Sequence, residues 1–139
     1  MSGYAPAEAA RRSGFSLDTL RYYEKIGLLA DVGRTTGGQR VFTDDDLGWL
    51  VLFRCLRDTG MPIAQMCRYA ELAREGEHTV DERRELLKQH AARVEEQMLL
   101  LSRQYEHLRE KIRFYERLPG QAPEAGQPTA NRPDQAVSR

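Results

Sequence analysis

The chain has only two cysteines, Cys55 and Cys67. They are too few and too close in sequence for the disulfide framework of a small secreted domain, so both thiols are expected to be reduced. No apolar stretch approaches the roughly 20 residues of a membrane-spanning helix, and the N-terminus lacks the apolar core of a signal peptide. A cytoplasmic location with no membrane partner is expected. Charge of one sign is also missing: Lys plus Arg equals Asp plus Glu, at 21 each, so total charge says nothing about a nucleic-acid partner. No nucleophile–base pair, phosphate loop or pair of carboxylates stands at a working spacing. An enzyme is therefore not expected, and no catalytic residue, cofactor or metal is assigned. A length of 139 residues gives room for one small domain plus an extended element, and not for a second, catalytic domain.

What is present falls into three parts: residues 1–75, 76–118 and 119–139. The first reads as short helices separated by turns. Ala5 to Arg12 suits a first helix, stopped by Gly14. Ser16 is an N-cap for a second helix, with Asp18 in the first turn and Gly27 after its end near Ile26. Two short helices joined by a Gly-containing turn describe a helix-turn-helix. In the segment from Arg34 to Phe42, paired glycines sit between short extended flanks, the pattern of a hairpin, here a wing. Thr43 followed by Asp44, Asp45 and Asp46 opens a third helix, with Trp49, Leu52, Phe53 and Leu56 on its core face. Gly60 ends it, and Pro62 starts a fourth helix in which Ile63, Met66 and Ala70 share a face. Between residues 11 and 40, Arg11, Arg12, Arg21, Lys25, Arg34 and Arg40 outnumber Asp18, Glu24 and Asp31, a modest cationic excess where a phosphate-facing surface would lie.

From Val80 to Leu118 there is neither Gly nor Pro, and a seven-residue repeat sets in. One stripe is Leu87, Val94, Leu101, Leu108 and Tyr115. The other is Arg84, Ala91, Met98, Tyr105 and Ile112, with Glu, Lys, Arg and Gln on the remaining faces. At a rise of about 1.5 Å per residue this is a rod of roughly 58 Å, too long to bury both stripes against a small domain as a folded-back surface helix. A second copy of the chain is the simplest partner, and the interface is assigned to Leu87, Ala91, Val94, Met98, Leu101, Tyr105, Leu108, Ile112 and Tyr115. From Pro119 on, Pro, Gly, Gln and Ala without periodicity read as a disordered tail. The fold class expected is mainly α: a winged helix-turn-helix domain followed by a long dimerisation helix in an antiparallel coiled coil.

The stretch Ser16-Leu17-Asp18-Thr19-Leu20-Arg21-Tyr22-Tyr23-Glu24-Lys25-Ile26-Gly27-Leu28-Leu29, the Arg34–Phe42 segment, and Phe53-Arg54-Cys55-Leu56-Arg57 with Gly60-Met61-Pro62-Ile63 resemble the MerR family of bacterial regulators in order and spacing. The resemblance covers residues 1–75. Tyr4 stands where a small aliphatic is more usual, and Gln39 replaces a common wing Tyr. The resemblance implies a homodimer on double-stranded promoter DNA. There it would bend and untwist an overlong promoter spacer so that RNA polymerase can engage both promoter elements, acting on the polymerase only indirectly. A pure coiled-coil adaptor is the rival reading.

Contacts to DNA are expected from Ser16, Thr19, Arg21, Tyr22, Arg34, Gln39 and Arg40. Thr19 and Arg21 lie early in the second helix, where hydroxyl and guanidinium donors reach base edges or phosphates, and Tyr22 offers a phenol to a phosphate oxygen. Tyr23 reads as core. Metal-sensing relatives place cysteines after the dimerisation helix, whereas here none follows Cys67 and His78, His90 and His107 are scattered. Drug-sensing relatives carry a large further domain, for which the tail has no room. Cys55 is similar in context to the branch responding to aldehydes or thiol stress, with Arg54 and Arg57 favouring a thiolate and the helix dipole opposing it. It reads as either a sensor or an inert half-buried thiol; a regulator with no small-molecule effector also stays open. Cys67 reads as packing.

Overall fold

Caps and glycines divide the chain as follows: α1 (Pro6–Ser13), α2 (Leu17–Lys25), β1 (Gly33–Arg34), β2 (Arg40–Val41), α3 (Asp44–Asp58), α4 (Ile63–Glu75), a 3-10 turn at Glu77–Thr79, and α5 (Val80–Arg117). The structure, a computed structural model, describes residues 3–30 and 32–120. The disordered tail expected over 119–139 lies outside the described residues from 121 on, and so does Asp31. Helix α1 starts one residue later than expected because Pro6 occupies its first turn, where a fixed φ and a missing N–H do no harm. Gly14 ends it at φ 80°, a left-handed conformation, and a Cβ there would collide with the Arg54 guanidinium. At the start of α3, the Thr43 hydroxyl accepts from the Asp46 N–H at 3.1 Å while the Asp46 carboxylate accepts from the Thr43 N–H at 2.9 Å, a capping box with Asp in place of the usual Glu. Pro62 is the cap of α4 and not its first residue.

The core lies between α2, α3, α4 and the loop after α2. Leu20, Tyr23, Leu28, Phe42, Phe53, Leu56, Met66 and Ala70 are buried in it. Tyr23 meets Phe15 and Phe53 edge-on, with ring centroids 5.2 and 6.4 Å apart. Trp49 and Leu52 pack against this cluster partly buried, as the third helix pattern implies, and Leu50, absent from that pattern, is fully buried. Ile63 is exposed, unlike Met66 and Ala70, because it opens α4 and the apolar position there is taken by the buried Met61.

Two compact units make up the chain, the first ending at Glu96 and the second beginning at Gln97. The boundary expected after residue 75 coincides with the end of α4, yet the first unit continues into α5. Leu87 explains part of this. Assigned to the dimer interface, it instead packs partly buried against the core of its own unit. His90 supplies the rest: it is 6% exposed, and its Nε2 lies 2.8 Å from the Thr59 hydroxyl of α3. Arg68 to Glu82 at 3.0 Å and Arg93 to Gln65 at 2.9 Å join α4 to α5.

Burial, with a smaller contribution from Arg93, holds the His90 imidazole below its ordinary value. A base whose folded pKa is depressed is protonated more readily in the unfolded chain. Stability tied to His90 is therefore complete above about pH 6.5 and is lost as pH falls from there through the folded value. Thermal unfolding followed from pH 8 to pH 5 should show a falling midpoint, flattened by His90→Gln; an identical pH profile for that variant would refute this.

In the second unit, α5 presents Met98, Leu101, Tyr105, Leu108, Ile112 and Tyr115 exposed, with Leu101 at 66%. Ala91 is exposed and Val94 half-buried in the first unit. No helix among the described residues is long and apolar enough to cross a membrane.

Candidate nucleic-acid interface

The turn between α1 and α2 is held by Arg54 of α3, which donates to the Gly14 carbonyl at 2.6 Å. On α2, the Ser16 hydroxyl accepts from the Thr19 N–H at 3.1 Å and donates to the Thr19 Oγ1 at 3.0 Å. That leaves the Thr19 hydroxyl proton free to point outward. Arg21 is exposed and reaches Asp18 at 2.9 Å, and Tyr22 is half-exposed, while Tyr23, one residue on, is buried. The alternation follows from helix geometry, since one residue turns the face by about 100°.

Beyond α2 the chain forms the expected wing. Strands β1 and β2 pair antiparallel, Gly33 with Val41 and Arg34 with Arg40. The tip closes through the Thr35 hydroxyl, which accepts from the Gly37 and Gln39 N–H groups at 3.2 Å each, and Gly38 turns the chain at φ 86°. Gln39 is exposed at this tip. Tyr4 anchors the wing's far end, exchanging two backbone bonds of 2.8 Å with Phe42 and donating its phenol to Asp44 at 2.8 Å. That pairing is what the unusual residue at position 4 does here.

Glu24 ties α2 to the wing. From α2 its carboxylate accepts from Arg40 and, at 3.5 Å, from Arg34, which also donates to the Gly38 carbonyl at 3.2 Å. Both wing arginines are thereby aligned from the side of α2. Sequence reasoning counted Glu24 only as one acid among cations. A carboxylate in the last turn of a helix opposes the dipole, and that was the available signal. The cationic excess is muted in the same way, because Arg11 and Arg12 both pair with Glu8, whose carboxyl they pull down to about 2. Exposed ion pairs are worth roughly 0–1 kcal/mol, so Arg21 can trade Asp18 for a phosphate or a base edge at little expense.

Glu24→Gln is expected to lower affinity for the promoter by about tenfold, about 1.4 kcal/mol, while leaving affinity for an unrelated duplex level or higher. Anisotropy titrations of the two duplexes at one salt concentration check this, and an unchanged ratio between them would contradict it.

The surroundings of Cys55 depart from the half-buried thiol expected as one alternative. Its thiol is exposed, not half-buried. Arg54 is engaged by Gly14 and by Asp58 at 2.7 Å, and Arg57 by Asp58 at 3.2 Å and by the Phe15 ring at 4.9 Å, so both guanidiniums already have partners. Cys67 is half-buried, with its thiol pushed up by burial and by Glu71, in keeping with a packing role.

Fold and site together define a winged helix-turn-helix protein. Residues 4–72 match the MerR HTH family regulatory proteins, and residues 47–117 match the family described as MerR, DNA binding. The chain belongs to the MerR family and is a DNA-binding transcriptional regulator. It is 42% identical over 114 residues to an HTH-type transcriptional regulator of Haemophilus influenzae, covering 82% of this chain and 84% of that one. Among solved structures it is similar to HiNmlR, a MerR family regulator lacking the sensor domain and bound to promoter DNA, at 42% identity and TM-score 0.76 over 83% of this chain and 91% of that one. A MerR family regulator from Listeria monocytogenes is similar at 37% identity and TM-score 0.78, over 82% and 86% of the two chains.

Proposed function

We propose that the chain regulates transcription as a homodimer bound to two half-sites of its promoter. The observation that carries this reading is the α2 face of half-buried Thr19 and exposed Arg21 and Tyr22, standing beside wing arginines that Glu24 aligns from α2 itself. Helix α2 enters the major groove with Ser16 and Thr19 at its leading end, and Arg34, Gln39 and Arg40 meet the backbone alongside. Two copies join through the apolar stripe of α5 from Met98 to Tyr115, in an antiparallel coiled coil that separates the two heads. A dimer clamped at both half-sites can sustain a bent, untwisted spacer, a distortion worth several kcal/mol, and so present both promoter elements to RNA polymerase. Similarity to a regulator lacking the sensor domain supports control exercised through the DNA-binding and dimerising elements themselves.

Binding to the protein's own promoter region should weaken steeply with salt, and Arg34→Ala or Arg40→Ala, each removing one phosphate contact from both copies, should reduce the slope of log K against log salt by about 2. Equal, salt-insensitive affinity for any duplex would overturn the reading.

The exposed thiol of Cys55 favours a second layer, control by aldehydes. Its sulfur adds to the carbonyl carbon, an S–C bond forms, and the thiol proton ends on the former carbonyl oxygen. Cys55→Ser should keep operator binding and lose the transcriptional response to an added aldehyde, with Cys67→Ser behaving as wild type. A normal response from Cys55→Ser, measured with a reporter in the cell, would discard this layer.

A further inference from the structure

Three polar side chains are buried among the described residues, and two of them are fully paired. The Ser13 hydroxyl meets the Ala10 carbonyl and the Phe15 N–H at 3.3 Å each. The Thr79 hydroxyl meets the Leu72 and Gly76 carbonyls at 2.6 and 2.8 Å and accepts from Arg83 at 3.0 Å. His90 differs: Nε2 is bonded to Thr59, and Nδ1 is buried with no partner.

The Thr59 hydroxyl caps α3 and lies 2.7 Å from the Cys55 carbonyl. A hydroxyl has one proton, and a carbonyl can only accept. The proton therefore goes to a carbonyl of the α3 turn, Cys55 at 2.7 Å with Leu56 at 3.3 Å beside it, so the bond from His90 is Nε2–H donating to the Thr59 oxygen, and Nδ1 is a bare lone pair. Leaving a buried acceptor unpaired costs free energy, because its bond to water is lost and not replaced. An aliphatic side chain, such as Leu87 one turn earlier, would fill this place without that penalty. The imidazole thus adds a directional tie between α5 and the last turn of α3.

We propose that His90 is a positioning residue which, through the Thr59 hydroxyl, sets the register of the α3 C-terminal turn against α5 and relays a chemical change at Cys55 to α5. The relay rests on the reading of Cys55 given above; the tie itself does not. The chain of contacts is short: the Cys55 carbonyl, the Thr59 hydroxyl, the His90 ring. A substituent on the Cys55 sulfur that shifts this turn strains a bond whose far partner sits on the helix that carries the dimer stripe.

The experiment uses the full chain with Cys67→Ser, and Thr59→Val, Thr59→Ser, His90→Leu and His90→Gln within it. Nitrogen NMR should find His90 as the Nε2–H tautomer. Amide exchange at residues 56–60 should quicken at least tenfold in Thr59→Val and in His90→Leu, with no further gain in the double variant. Thr59→Ser and His90→Gln, which keep a hydroxyl and a donor, should stay within about twofold of the parent. The Nδ1–H tautomer, unchanged exchange, or additive effects would overturn the tie. Cys55 is then alkylated to completion with iodoacetamide, checked by mass spectrometry, and operator affinity is measured. A change in the parent and in Thr59→Ser that vanishes in Thr59→Val supports the relay. The same change in Thr59→Val overturns the relay while leaving the Cys55 reading intact. No change in the parent overturns the relay, while the exchange data still decide the tie and the reporter response of Cys55→Ser decides the Cys55 reading.

Discussion

Arg21→Ala should abolish sequence-specific promoter binding while leaving the fold and the oligomeric state as they are. The guanidinium is 62% exposed and its ionic partner among the described residues, Asp18, is 93% exposed, so its removal alters stability by no more than about 0.5 kcal/mol. A contact to a base edge is worth roughly 1–3 kcal/mol. Two half-sites double the loss to about 2–6 kcal/mol, a fall in affinity of at least about 30-fold at constant salt. Anisotropy with the promoter duplex, beside a thermal melt of the same sample, measures both sides of the expectation. A variant that binds the promoter as tightly as the parent would remove α2 from the recognition role.

Leu101→Asp should split the proposed dimer without unfolding the first unit. Leu101 lies at the middle of the apolar stripe and is exposed in the single chain, so the substitution harms nothing within one copy. In the paired helices it buries a carboxylate without a partner, once per copy. A cost of at least about 3 kcal/mol raises the dissociation constant more than 100-fold. Sedimentation should then show the 15.9 kDa chain in place of a species twice as heavy, and promoter binding should fall with it. Leu87→Asp is the informative contrast. Leu87 packs on the core of its own unit, so that variant should lower the melting temperature, which Leu101→Asp leaves unchanged.

Those two leucines show where the sequence could be read and where it could not. Capping residues, glycines and the spacing of Phe53 and Leu56 are local signals, and the helices and the wing followed from them to within a residue or two. The heptad repeat is also local, but it cannot say which stretch of a stripe meets the chain's own core. Leu87 and Leu101 occupy the same heptad position, and only the three-dimensional packing of α5 against α3 and α4 separates them. The site behaved alike. Exposure of Arg21 and Tyr22 and burial of Tyr23 follow from helical periodicity.

The role of Glu24 depends on a hairpin folding back beside α2, a contact between residues 16 apart. Arg54 and Arg57 were legible as neighbours of Cys55 in sequence, whereas their actual partners, Gly14 and Phe15, come from the other side of the turn. His90 gave no signal beyond being a lone histidine in a heptad, since its partner Thr59 is 31 residues away.

The account stands on two copies of α2 reading one duplex together. The direct measurement is the stoichiometry and footprint of the complex on the protein's own promoter, from mass determination and hydroxyl-radical protection of the same sample. Two chains per duplex are expected, protecting two major-groove segments on one face of the DNA, with Arg21→Ala losing both segments at once. One chain per duplex, or a single protected segment, would contradict it.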